Sequence, residues 1–148
     1  MPFFHDPAPA MVVCTLDPDQ PEVRSRTERL RGMGVEVVQL PSACGQPGRP
    51  MALTALVDLL TERGMNELHL EAGSRMTGAF LQAGLLDEWL IYQAPIFLGS
   101  GMPMAEPWTA LLGRQDPLAE PSQATRWHRL DAISVGDSLR FRLLRADA

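Results

Sequence analysis

The 148-residue sequence is poor in the features that mark several common classes of protein. Its two cysteines, Cys14 and Cys44, lie far apart and outside any CxxC or Cys/His cluster, which predicts reduced thiols, a cytoplasmic protein and no metal site. No apolar run approaches the about 20 residues that cross a bilayer, so no membrane partner is expected. The net charge of −5 disfavours nucleic acid, because binding a phosphate backbone requires a basic surface.

Catalytic motifs are also scarce. The sequence has no HxE followed by PCxxC, so the signature of the zinc-dependent deaminases is absent. Its three histidines, His5, His69 and His128, are scattered and form no Ser-His-Asp or Cys-His arrangement, so no catalytic residue is assigned. Hydride transfer remains possible, because it needs a cofactor held against a carbon atom and no protein nucleophile.

The sequence does contain a regular alternation of strand and helix patterns. The apolar fraction of 45% is sufficient for a core, and the length suits one domain. Alternation of this kind predicts an α/β domain with three α/β/α layers around a mostly parallel sheet. The predicted strands lie at residues 10–15, 35–40, 66–71 and 88–97, and the helices between them at 23–30, 53–60 and 76–83.

The C-terminal third carries a different pattern. Residues 88–97 are apolar on both sides, which predicts a central strand. Residues 102–123 are predicted to form a long loop with a short helix near 108–112. Two strands, at 125–133 and 138–144, flank Val135-Gly136-Asp137 and indicate an antiparallel hairpin.

Residues 66–89 form the stretch with the clearest functional signal. A strand that ends at Glu71 is followed by the turn Ala72-Gly73-Ser74 and by a helix, which leaves backbone N–H groups at the positive end of a helix dipole. Such a turn suits a phosphate group. The alternative is an ordinary strand–helix connection, because no Lys-Ser/Thr follows Gly78 and the stretch is not GxGxxG.

A longer string extends this signal. Residues 70–101, LEAGSRMTGAFLQAGLLDEWLIYQAPIFLGSG, resemble the reductase domain of the bifunctional riboflavin-biosynthesis deaminase/reductase, as do LRGMGVEVVQLP at 30–41 and the closing strands. The resemblance implies a dihydrofolate-reductase-like fold, NADPH as hydride donor and a phosphorylated pyrimidine substrate. The implied reaction reduces the ribosyl group of 5-amino-6-(5-phosphoribosylamino)uracil to a ribityl group.

The resemblance also implies roles for residues of this stretch. Glu71 would bind the substrate, although an acid at this position could instead only stabilise the helix dipole. Ser74 and Arg75 depart from the family pattern: Ser74 is expected to cap the helix, and Arg75 either pairs with a cofactor phosphate or points to solvent. The residues expected to bind NADPH are Gly73, Ser74, Arg75, Met76, Thr77, Gly78 and Ala79.

The family's domain begins with strands that precede the residue matching Met11. Residues 1–148 are therefore expected to be a partial reductase domain, and an open sheet edge favours a homodimer, which the family also forms. Two functions remain open at this point. The first is the NADPH-dependent reductase, and the second is a non-catalytic dimerisation or nucleotide-binding module that retains the fold.

Overall fold

The computed structural model describes residues 9–101, 104–105 and 126–146. The chain divides into two units, Met1–Leu68 and His69–Ala148, each with its own sheet. Both helices and strands are present, as predicted for an α/β protein. Within the described ranges, no helix combines the length and the apolar character that a membrane span requires.

The first unit is built on two parallel strands joined by a helix. Its elements are β1 (Met11–Cys14), α1 (Pro21–Gly32), β2 (Glu36–Gln39) and α2 (Leu53–Glu62). Met11 lies opposite Glu36, and the parallel pairing predicted for these strands is confirmed. Proline suits the start of α1 because its fixed φ matches the helix and its missing N–H has no helical acceptor there. The buried side chains of Thr27 and Val35 mark the inner side of this unit.

The connection between β2 and α2 has the loop character predicted for the Pro/Gly-rich residues 41–50. An isolated antiparallel bridge between Ser42 and Met51 closes the loop, and the Thr15 hydroxyl donates to the Arg49 carbonyl at 2.9 Å. This long-range hydrogen bond fixes the loop beside the end of β1.

The prediction of a strand at residues 66–71 is wrong. These residues have no regular secondary structure, and Leu68 is 50% exposed. A strand exists only through hydrogen bonds to a neighbour, and the described residues contain no strand that pairs with this segment. The alternation of apolar and polar residues is therefore present in the sequence, but by itself it does not produce a strand.

The second unit begins with α3 (Ser74–Gln82). Ala79 and Phe80 are buried, as its predicted apolar face requires, whereas Met76 and Ala83 are exposed. The chain turns after the helix at Gly84, whose φ of 67° is readily adopted only by glycine.

The sheet of the second unit has three antiparallel strands. They are β3 (Glu88–Gln93), β4 (Trp127–Val135) and β5 (Ser138–Arg145), in the spatial order β3-β5-β4. The predicted hairpin of β4 and β5 is confirmed, and its turn contains Gly136 with a φ of 59°. Trp89 and Trp127 pack edge to face, with ring centroids 6.0 Å apart.

The predicted central strand at 88–97 requires two corrections. It ends at Gln93, and within the described residues it lies at an edge of its sheet. Its alternate side chains Leu90 and Tyr92 are exposed, so an apolar sequence on both faces did not indicate a central position. Of the three strand pairings in the described part of the chain, one is parallel and two are antiparallel. The predicted predominance of parallel strands therefore holds there in the first unit alone. The helix predicted near 108–112 lies outside the described residues.

Candidate functional site

The turn that precedes α3 is accessible from outside. Gly73 is the N-cap residue, with an extended φ of −73° and ψ of 168°, and its carbonyl accepts the first helical hydrogen bond from the Thr77 N–H at 3.1 Å. A Cβ atom added at Gly73 would meet no atom within 4 Å. The N–H groups in the first turn of a helix have no acceptor within the helix. An approaching anion therefore meets an open backbone at the positive end of the dipole.

Glu71 lies two residues before this turn and is open to solvent. Its side chain is 85% exposed, and its Oε1 lies 3.4 Å from Nε2 of His69, which is 74% exposed. A carboxylate in this position can accept hydrogen bonds from hydroxyl or N–H groups of a ligand. The first turn of α3 itself contains no acidic residue, so no side-chain carboxylate there opposes an anion.

Ser74 differs from its expected role. Gly73 occupies the cap position and α3 has no side-chain cap, so the prediction that Ser74 caps the helix is wrong. Ser74 is instead the first residue inside the helix and is 7% exposed. Its hydroxyl oxygen is buried and has no hydrogen-bond partner among the described residues. A buried hydroxyl without a partner is costly, so a hydrogen-bonding group supplied from elsewhere would stabilise it.

The structure divides the remaining residues of the predicted cofactor site into two groups. Arg75 and Met76 are exposed, and Thr77 is half-buried with its hydroxyl 3.4 Å from the Ala72 carbonyl. Gly78 and Ala79 are buried on the inner side of α3. The predicted site is therefore brought together at the helix start, and its last two residues point away from that surface.

A cavity in the first unit was not predicted. It has a volume of about 360 Å³ and opens where β1 and β2 end. In open α/β sheets, ligands bind beyond the carboxyl ends of parallel strands, and that rule is the sequence signal that could have indicated this place. The residues that line the cavity are Thr15, Gln39, Leu40, Pro41, Ser42, Gly45 and Pro47.

Metal-binding side chains do not gather at either place. Across residues 9–101, 104–105 and 126–146, no three His, Cys, Asp or Glu side chains form a group that could hold a metal ion. Cys14 and Cys44 are free thiols, the first half-buried and the second exposed. The chemistry available at the α3 turn is thus that of backbone amides, a carboxylate and an arginine.

Comparison with known proteins identifies the sequence family. The model of the RibD C-terminal domain matches residues 2–112 of this chain. The riboflavin biosynthesis protein RibD of Escherichia coli (strain K12) is 46% identical over 48 residues, which are 32% of this chain and 13% of that protein. RibD of Bacillus amyloliquefaciens is 30% identical over 78 residues, 53% of this chain and 19% of that protein. Each matched segment therefore covers less than a fifth of the relative's length.

Solved structures agree on the fold. Acinetobacter baumannii RibD superposes with a TM-score of 0.58 at 23% identity, over 92% of this chain and 37% of that chain. A pyrimidine reductase-like protein from Corynebacterium diphtheriae gives a TM-score of 0.62 at 20% identity, over 91% of this chain and 49% of that chain. The α/β fold is thus that of the RibD reductase-like proteins. Since the family model covers most of the sequence, the chain belongs to the RibD C-terminal domain family.

Proposed function

We propose that this chain supplies part of an NADPH-dependent reductase of riboflavin biosynthesis. The proposed reaction reduces the ribosyl group of 5-amino-6-(5-phosphoribosylamino)uracil to a ribityl group. The observation that carries the proposal is the open turn at Gly73, which lies inside the segment matched by the family model. An accessible helix N-terminus with room at its N-cap glycine suits a dinucleotide pyrophosphate.

The residues of the turn fit a pyrophosphate. The first-turn amides of α3 supply donors, Gly73 leaves room for close approach, and the exposed Arg75 adds a positive charge in the same turn. Gly78 and Ala79 are buried, so in this proposal they pack the helix in place and do not touch the cofactor. Bound reduced nicotinamide would supply the hydride, while the protein binds and orients both reactants.

Glu71 is the proposed substrate-binding residue. Its carboxylate is exposed, so it is available to accept hydrogen bonds from ribose hydroxyls or from N–H groups of the pyrimidine. His69 lies beside it at 3.4 Å and can orient the carboxylate. The partner is thus a phosphorylated small molecule, and we propose no nucleic acid or membrane partner.

The finer features of the fold are also proposals. We propose that the chain contributes to a dihydrofolate-reductase-like, three-layer α/β/α arrangement in a cytoplasmic homodimer. The fold in this proposal is supported by the RibD-like structures, which match more than nine-tenths of this chain, while the match covers 37% and 49% of their own chains. In that arrangement residues 66–71 would gain the neighbouring strand that they lack here.

A non-catalytic nucleotide-binding module is the second candidate. One observation favours it: the segment that carries Glu71 pairs with no strand among the described residues, so no sheet fixes the backbone that positions its carboxylate. Catalysis depends on positioning far more strongly than binding does. A chain with this geometry would bind the cofactor at the α3 turn and turn over slowly.

Two measurements separate these functions. A titration of nicotinamide fluorescence with the purified chain tests cofactor binding, and NADPH oxidation in the presence of the phosphoribosylamino-pyrimidine tests turnover. Binding with turnover supports the reductase, and binding alone supports the module. No change in fluorescence at millimolar NADPH would overturn both.

A further inference from the structure

The end of α3 is tied to the last strand of the sheet by one arginine. Arg145, the last residue of β5, donates a hydrogen bond from Nη1 to the carbonyl of Gly84, which lies 61 residues earlier in the chain. Its Nη2 lies 3.8 Å from a carboxylate oxygen of Asp87, and its backbone N–H donates to the Asp87 carbonyl at 2.9 Å. The side chain and the backbone of Arg145 therefore hold two points of the turn between α3 and β3.

Gly84 is the residue at which α3 stops. Its N–H donates to the Leu81 carbonyl at 3.1 Å, and the Leu85 N–H donates to the Phe80 carbonyl at 3.0 Å, so two of the last carbonyls of the helix are satisfied. α3 has no basic residue in its own last turn. The positive charge that suits the negative end of the helix dipole is supplied from β5 by Arg145.

The guanidinium of Arg145 depends on this carbonyl. Its side chain is only 24% exposed, and its Nε is buried without a hydrogen-bond partner among the described residues. A partly desolvated guanidinium gains more from each acceptor than one in water does. The Gly84 carbonyl is therefore the main anchor, whereas the exposed Asp87 carboxylate, at 3.8 Å, contributes less.

The inner side of α3 does not by itself fix the helix along its axis. Its buried residues are Ser74, Gly78, Ala79 and Phe80, and only Phe80 has a large side chain. Small residues form a smooth face along which a packed helix can slide. The hydrogen bond to Gly84 supplies a second fixed point. Because α3 is a rigid element of nine residues, about 13 Å long, a movement at its end is transmitted to its start.

We propose that Arg145 is a positioning residue of the cofactor site: by fixing the end of α3, it holds the first-turn amides of this helix where the NADPH pyrophosphate binds. The inference rests on the function proposed for the α3 turn. It gives Arg145 a role that needs no contact with the cofactor. Affinity for a pyrophosphate depends on the direction of several N–H groups at once, so a small shift of the helix weakens all of these contacts together.

The test compares two arginines on the same strand. Arg145→Met removes the hydrogen bond to Gly84 and keeps a long, unbranched side chain. Arg142→Met is the matched control, because Arg142 also lies on β5 but pairs with Glu88 on β3. Nicotinamide fluorescence titrations measure the NADPH dissociation constant at a temperature where circular dichroism shows both variants folded.

We expect Arg145→Met to raise this constant about three- to tenfold and Arg142→Met to change it by less than about twofold. Arg145→Lys should recover part of the loss, because an ammonium group can still donate to the Gly84 carbonyl. A purely structural role would lower the denaturation midpoint of Arg145→Met and leave the dissociation constant of the folded protein unchanged.

Hydrogen exchange tests the anchoring of α3 without any cofactor. The amides of Gly84 and Leu85 close the end of the helix, so they should exchange faster in Arg145→Met than in Arg142→Met. If Arg145→Met does not fold, Arg145→Lys takes its place in both measurements.

Three results would overturn the proposal, and each is distinct. Equal exchange of these amides in the two variants would remove the anchoring role. Faster exchange with an unchanged NADPH dissociation constant would remove the positioning role and leave the cofactor site intact. An unaltered chain that binds no NADPH would overturn the proposed function itself, and the role of Arg145 in cofactor binding with it.

Discussion

Arg63, which follows α2, donates two hydrogen bonds to the two carboxylate oxygens of Glu36 on β2, each at 2.6 Å. Their sequence separation is 27 residues, so the pair joins the two ends of the segment that contains β2 and α2. Bidentate arginine–carboxylate pairs are among the stronger and more directional ion pairs. This pair therefore fixes the end of α2 to the first residue of β2.

The first prediction concerns the pH dependence of this pair. The hydrogen bond from Arg63 lowers the pKa of Glu36 below its usual 4.5, so the unfolded chain binds more protons at this group than the folded chain does. The stabilisation is thus present above about pH 4.5 and is lost as the pH falls through the lowered pKa. Glu36→Gln should lower the urea midpoint of unfolding at pH 7. It should also reduce the amount by which that midpoint falls when the pH is lowered.

Far-UV circular dichroism during urea unfolding, from pH 7 to pH 3, checks this prediction. Glu62→Gln, at an exposed position in α2, is the control and should follow the unaltered chain. The effect of Glu36→Gln at pH 7 should be small, because both partners are exposed and solvent screens their attraction. Identical acid profiles for Glu36→Gln and the unaltered chain would contradict the role of this pair.

The local sequence pattern was sufficient to predict several helices and strands, but not all of them. α2 and the β4–β5 hairpin agree with prediction because their signals, a repeating apolar stripe and a Gly-Asp turn between strands, are contained within a few residues. The predictions of a strand at residues 66–71 and of a central position for β3 were wrong. Whether a strand forms, and where it lies in a sheet, depends on partners elsewhere in the chain. Alternation alone cannot supply that information.

The candidate site shows the same division. The Gly73 turn was predictable because a glycine between a strand pattern and a helix pattern is a local signal for a turn. The burial of Ser74 and the cavity beside β1 and β2 were not predictable, since burial and cavities depend on tertiary packing. Thr15, for example, donates a hydrogen bond to the carbonyl of Arg49, which lies 34 residues away in the sequence.

A second prediction concerns the hairpin. Arg140 donates to both carboxylate oxygens of Asp131, at 3.1 and 3.0 Å, and the two side chains are only 26% and 33% exposed. Asp131→Ala leaves a partly buried guanidinium without this acceptor and should cost about 1–3 kcal/mol. Chemical denaturation followed by tryptophan fluorescence measures this, because Trp89 and Trp127 lie in the same sheet.

The matched control is Asp87→Ala. Asp87 is 77% exposed, and its ion pair with Arg145 is longer, at 3.8 Å. Its removal should have a clearly smaller effect than the loss of Asp131. Equal losses of stability in the two variants would show that the partial burial of the Arg140–Asp131 pair does not increase its contribution to stability.

The third prediction concerns the core of the second unit. Phe80 is 2% exposed and lies on the inner side of α3, so Phe80→Ala should destabilise this unit by about 3–5 kcal/mol through lost burial and the cavity left behind. Met76→Ala changes a side chain of the same helix that is 41% exposed and should cost far less. The same fluorescence-detected denaturation compares the two, and a similar cost for both would mean that α3 is not packed through Phe80.

The fourth prediction tests the phosphate site directly. Gly73 has a φ that every residue can adopt, and an added Cβ meets nothing, so Gly73→Val adds bulk over the helix start without backbone strain. It should raise the dissociation constant for NADPH by about tenfold or more, equivalent to about 1.4 kcal/mol. Gly32→Val is the control, because a Cβ at Gly32 also meets no atom within 4 Å. Unchanged NADPH fluorescence titrations for Gly73→Val would remove the α3 turn from the binding site.

The last prediction separates the proposed substrate role of Glu71 from a role in helix stability. If the carboxylate contacts the pyrimidine or its ribose, Glu71→Gln should lower kcat/KM about 10- to 100-fold, the loss expected for a hydrogen bond to a charged group, and leave the NADPH dissociation constant unchanged. If it only complements the dipole of α3, the variant should lower thermal stability slightly and leave kcat/KM intact. Glu67→Gln, an exposed acid in the segment before it, is the control for general charge effects. Because Glu71 lies outside the first turn of α3 and is 85% exposed, its interaction with the dipole is weak, so the kinetic result decides between the roles.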